Sequence, residues 1–146
     1  MVHGKTGERT DNIQNIIIMK KYESLSKSRL IMEATLNGQK AKFLVDTGAT
    51  VGLLSDGIIK KYKLIKGKKF GQPLVGAGGS FKAYYCNTFA YIDGKPITQF
   101  LIADIDNVID SIKRECGIEI QGIISLPQMK QAGIQIDAND NLIIVE

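Results

Sequence analysis

Asp46, Thr47 and Gly48 follow three apolar residues, Phe43, Leu44 and Val45, and lead into Ala49 and Thr50. An apolar strand that ends in a carboxylate is unfavourable unless the charge is paired or hydrogen-bonded, and acids held in this way are suited to proton transfer. The competing reading is an ordinary turn, since Asp-x-Gly is common turn chemistry. A second unusual stretch, residues 72–82, carries Gly76, Gly78 and Gly79 around Val75 and Ala77. It has neither Gly-Lys-Ser/Thr nor the Gly-x-Gly-x-x-Gly spacing of phosphate loops, so a hairpin tip is its better physical reading.

The elements around these residues are extended. Residues 30–36 and 39–45 are strand-like runs joined by Asn37-Gly38, which suits a type I′ turn because both central positions need positive φ. The second run delivers Asp46 at its end. Residues 16–19 read as a first strand after a polar tail, and residues 24–29 as a polar link. Residues 51–55 read as a short buried segment, followed by a helix with Ile58, Ile59 and Tyr62 on one face and Ser55 or Asp56 as its cap. Residues 84–92, Asp93-Gly94 and residues 96–103 form one strand–turn–strand unit. Residues 106–117 switch to helical period, with Val108, Ile109, Ile112 and Cys116 on one face, Asp106 or Asn107 as cap and Gly117 as terminator. Residues 118–124 are strand-like, interrupted by Gly122. A short helix over 127–132 ends at Gly133, and residues 134–136 and 142–145 close the chain as a hairpin. Seven to nine short strands and two or three small helices make a mostly-β domain without repeats.

The chain has 146 residues, which suits a single domain: 1–12 as a mobile N-terminal tail and 13–146 as the folded part. With 44% hydrophobic and 23% charged residues it can build a core. No apolar run is long enough to cross a bilayer, and Met1–Lys5 lacks the apolar core of a signal peptide. Cys86 and Cys116 read as free thiols in a reducing compartment, so a cytoplasmic location is expected. The net charge of +4 is concentrated in Lys60, Lys61, Lys63, Lys66, Lys68 and Lys69. Such a cluster can hold a phosphate backbone or an acidic partner, but only Tyr62 and Phe70 interleave it, and a solvated loop is the weightier reading.

Taken in order, the hairpin into Asp46-Thr47-Gly48-Ala49, the helix, the Gly-rich tip at 75–81, Gly122-Ile123-Ile124-Ser125, the short helix and the closing strand resemble the retropepsin-like aspartic proteases. The resemblance runs from about residue 30 to residue 136. It implies a single pepsin-like half-barrel with two or three short helices, and an active site that one chain cannot complete. Members with one Asp-Thr-Gly form homodimers, and neither Asp56-Gly57 nor Asp93-Gly94 supplies a second copy. It further implies Asp46, Thr47 and Gly48 as catalytic residues. Ala49, Val75, Gly76, Ala77, Gly78, Gly79, Ile123 and Ile124 would bind a polypeptide substrate, with Leu53 and Phe81 adding apolar walls. No metal or other cofactor is expected, and neither membrane nor nucleic acid is an expected partner. By the same resemblance Thr47 bonds across the two-fold axis, and the glycine-rich tip folds over the substrate. Ala49 has no hydroxyl to hold the charged carboxylate, which points to activity at mildly acidic pH rather than near an optimum of about pH 2.

The chain departs from the viral pattern in four places. Thr50 and Val51 stand where acidic residues often grip the substrate backbone, and Ser125 stands where many relatives have glycine. The helical stretch 106–117 and the strand 142–145 are additions. Two other functions are open to such a chain: a catalytically silent peptide-binding or dimerisation module, and a nucleic-acid-binding β-barrel using the lysine cluster. The last leaves Asp46 unexplained.

Overall fold

The hairpin that carries Asp46 comprises β2 (Ile31–Leu36) and β3 (Gln39–Asp46). Asn37 and Gly38 have φ of 50° and 79°, so the turn has the mirror-image geometry that matches strand twist. In β2, Ile31, Met32, Ala34 and Leu36 are buried while Glu33 and Thr35 are exposed. In β3 burial becomes continuous over Phe43, Leu44 and Val45. That is the pattern of an interior strand covered on both faces. The computed structural model describes residues 19–76 and 79–146.

Among the described residues there are thirteen strands and three helices. Besides β2 and β3, the main sheet holds β4 (Gly52–Ser55), β7 (Ala83–Tyr85), β8 (Ala90–Ile92), β9 (Lys95–Ile97), β10 (Phe100–Ala103) and β11 (Gly122–Ser125). Its order is β7-β10-β4-β11-β3-β2-β8-β9. This is a mostly-β half-barrel, as the sequence implies. One core cluster includes Phe43, Val45, Leu54 and Phe100; the other includes Leu44, Leu53, Leu101 and Ile123. Strand β3 runs between them.

Residues 84–103 do not form one hairpin. The inner pair β8–β9 closes one edge of the sheet, while β7 pairs with β10 at the other. The chain leaves the hairpin at residues 86–89 and 98–99, where Gln99 takes φ 68° with no glycine or proline to announce it. The expected strand over 118–124 begins only at Gly122. Gly122 is a point of close approach: a Cβ there would lie 2.6 Å from the Leu53 carbonyl oxygen and 2.9 Å from the Phe43 ring.

The first helix is shorter than the periodicity suggests: a 3-10 turn over Asp56–Ile58, capped by Ser55, then α1 (Ile59–Tyr62). Helix α2 (Asp106–Cys116) ends at Gly117, with φ 72°. Its first turn is bonded by Asp104, whose Oδ1 accepts from the Asp106 amide at 3.0 Å, in place of the expected Asp106 or Asn107. Helix α3 (Leu126–Ala132) carries a capping box formed by Ser125 and Gln128. Ser125, buried in place of the family's glycine, therefore starts the helix.

A separate three-stranded sheet has the order β1 (Lys20–Glu23), β13 (Leu142–Val145), β12 (Ile134–Asp137). The terminal hairpin is present, and β1 adds to its far side. The expected first strand lies earlier, at 16–19; residues 16–18 fall outside the described residues, as does the 1–12 tail, and Met19 is not in a strand. Among the described residues no helix is long and apolar enough to cross a membrane.

Candidate active site

Strand β3 brings Asp46 to the rim of the half-barrel. Leu44 and Val45 anchor in different core clusters, so the strand cannot roll without exposing one of them. Strand β11 runs parallel beside it, with Ser125 opposite Asp46. The chain then turns tightly. The Gly48 amide donates to Asp46 Oδ1 at 2.9 Å, and the Ala49 amide donates to the Asp46 carbonyl at 3.1 Å. The Ala49 carbonyl accepts from the Leu126 amide at 3.2 Å, tying the loop to the start of α3. Asp46 is half-buried, whereas Thr47 and Gly48 are exposed.

Two further strands, β5 (Leu74–Gly76) and β6 (Gly79–Phe81), pair among the described residues only with each other. Leu74 and Phe81 at their bases pack against the cluster that holds Leu44 and Leu53. Val75 is 83% exposed, and Gly76 and Gly79 are exposed. Ala77 and Gly78 lie outside the described residues.

The remaining expected contacts divide. Ala49 packs against the same cluster as Ile123. Ile124 does not share that face: it is wholly enclosed with Val45 and Leu54. Neighbouring residues on a strand point to opposite sides, so Ile124 supports the Asp46 strand from beneath rather than lining a cleft. A groove of about 620 Å³ begins just past the Asp46 loop, lined by Thr50, Val51, Phe70, Gln99 and Pro127 among others. Among the described residues no three His, Cys, Asp or Glu side chains come together as a metal site would need.

Arg29 is a site neighbour that the motif reading passed over. The β2–β3 register pairs Ile31 with Leu44, and the Val45 amide donates to the Leu30 carbonyl at 2.8 Å. Arg29 lies in the bend just before this pair, near enough for the Asp46 charge to act on it. Counting back across the two-residue Asn37-Gly38 turn would have found it. Glu115 of α2 holds this guanidinium in a fork, with Arg29 Nε and Nη2 donating at 2.8 and 3.0 Å. The hydrogen bond and charge of Glu115 raise the Arg29 pKa, and Asp46 adds a smaller effect in the same direction. Reciprocally, the Arg29 hydrogen bond holds Glu115 below the usual carboxylate range. Both groups are exposed, so the pair fixes geometry more than it adds stability.

A family model described as gag-polyprotein putative aspartyl protease matches residues 32–102, a span that takes in Asp46-Thr47-Gly48 and the β5–β6 hairpin. No curated protein sequence matches the chain. Solved structures share its fold. The EIAV protease complexed with an inhibitor aligns with a TM-score of 0.56 at 22% identity, covering 75% of this chain and 92% of that one. A retropepsin-like aspartic protease from Rickettsia conorii aligns at 0.53 and 17% identity, covering 87% and 88%. The retroviral protease-like domain of Ddi1 from Leishmania major aligns at 0.53 and 19%, covering 81% and 88%. The motif matched by the aspartyl protease model thus stands at the end of β3, within a half-barrel that has the retropepsin-like fold.

Proposed function

We propose that the chain is an aspartic endopeptidase that works as a homodimer. The observation that carries this reading is the half-site itself: a carboxylate oriented by the Gly48 amide, at a rim where Thr47 and Gly48 stand uncovered. Two copies meeting there would set two Asp46 carboxylates about 3 Å apart, where they share one proton. The ionised member takes a proton from a water as its oxygen attacks the peptide carbonyl carbon. The protonated member donates to the carbonyl oxygen. Collapse of the tetrahedral intermediate breaks the C–N bond, and the amine leaves with a proton returned from the pair. The β5–β6 hairpin would cover the substrate and exclude water. Leu53, Ile123 and Phe81 favour apolar side chains beside the cut.

Strand pairing narrows how two copies could join. Strand β13 is bonded on both edges, by β1 and β12, whereas among the described residues β12 and β1 each pair on one edge only. We assign the dimer sheet to the outer edge of β12, because α3, whose first amide bonds to the Ala49 carbonyl beside Asp46, leads directly into it. The placement of β13 also favours a second reading. A chain that satisfies its own terminal strands has less need of a partner, as a silent peptide-binding module would. Mass in solution and cleavage of a mixed peptide library, with Asp46→Asn as control, decide between them. A dimer with Asp46-dependent cleavage supports the protease. A strict monomer at high concentration, inert from pH 3 to about pH 8, sinks it.

A further inference from the structure

The lysine run takes no part in the site above, and the fold gives it company that its own stretch lacks. Lys60, Lys61, Lys63, Lys66, Lys68 and Lys69 are all exposed. Among the described residues the ion pairs are Lys20–Asp93, Arg29–Glu115 and Lys113–Glu119, so none of the six pairs with a carboxylate of those residues. Asn37 fixes the end of α1 through bonds from its Nδ2 to the Tyr62 and Lys63 carbonyls. Beside it opens a groove of about 370 Å³ that includes Lys63, Ile65, Asn87, Phe89 and Tyr91 in its lining, and no carboxylate. Phe89 and Tyr91 are 41% and 42% exposed and Ile65 is 79% exposed. Uncovered rings next to uncompensated positive charge are what stacked bases and a phosphate backbone require.

We propose that this groove binds single-stranded nucleic acid, with bases on Phe89 and Tyr91 and phosphates along the Lys60–Lys69 ridge. Strand β8 and the 86–89 segment bring the rings, and α1 with its following loop brings the charge. Acidic polypeptide would satisfy the lysines but has no use for the two rings, and duplex hides the base faces that would stack on them. Amide groups at Asn37 and Asn87 border the same opening. The site is independent of Asp46 and of dimer formation.

Fluorescence anisotropy of a labelled mixed-sequence oligonucleotide of about 15 nucleotides, the scale of single-strand sites, reads it directly. With about four phosphates engaged, affinity should drop roughly fiftyfold between about 50 mM and 200 mM salt. Phe89→Ala with Tyr91→Ala should weaken binding at least about thirtyfold and leave the salt slope unchanged. Lys60→Gln, Lys61→Gln and Lys63→Asn together should flatten that slope by about 2. Asn tolerates the left-handed φ of 55° at position 63, and all three side chains are exposed, so this variant should fold. Labelled polyglutamate or a duplex of the same length binding as tightly as the single strand would overturn the proposal. So would no binding at the lower salt, or an aromatic variant that binds like the parent.

Discussion

Two hairpins meet at the candidate site, and they are built on opposite terms. The β2–β3 hairpin pairs along its whole length and buries Phe43, Leu44 and Val45 just before Asp46. Among the described residues the β5–β6 hairpin pairs only with itself, leaves Val75 and both described glycines in solvent, and is rooted by Leu74 and Phe81. One holds a carboxylate where it cannot wander; the other can be displaced with little loss of buried surface. The proposed endopeptidase, which would admit a polymer and then exclude water, needs both kinds.

That contrast can be broken at several points. Asp46→Asn should lower peptide cleavage by at least about a thousandfold while Tm stays unchanged, since the amide keeps the size but cannot carry the proton. If cleavage survives, β3 is not the catalytic strand. Phe43→Ala, at the fully buried root of the same strand, should cost about 3–5 kcal/mol in urea unfolding. Gly122→Ala should cost about 2 kcal/mol, because a Cβ meets the backbone oxygen of Leu53, which cannot step aside. On the other hairpin, Val75→Ala should change stability by less than about 0.5 kcal/mol yet alter the rates on a peptide panel. A loss of stability comparable to Phe43→Ala would erase the distinction.

The smallest effect concerns the Glu115–Arg29 fork beside Asp46. Glu115 is held below its usual range, so its contribution is present at neutral pH and vanishes as pH falls through that lowered value. Glu115→Gln should therefore lower Tm by about 1–2 °C at neutral pH and by nothing in strong acid. A deficit that persisted there would mean α2 is held by packing alone.

Local chemistry made part of this molecule readable in one dimension. Asn37-Gly38 demands positive φ twice, and Pro127 and Gly133 bracket a helix, so those elements announce themselves. The Ser125-x-x-Gln128 spacing was equally readable as a capping box, although the serine drew notice only as a departure from glycine. The split of 84–103 was not readable, because Gln99 adopts a left-handed φ that nothing in its neighbours requires.

Along the chain, then, the place of Asp46 was determined by its own hairpin: an apolar strand of known register ending in Asp-Thr-Gly. What joins distant stretches had to wait for folding. Ile123 and Ile124 look alike in sequence, and only folding assigns them to different core clusters on opposite sides of β11. Strand β1 meets β13 from the far end of the chain, and Arg29 meets Glu115 across most of its length. Phe89 and Tyr91 likewise reach Lys63 only because β8 packs at the edge next to β2. Backbone preference acts over a few residues, whereas these pairings are chosen by which surfaces the whole core leaves to be covered.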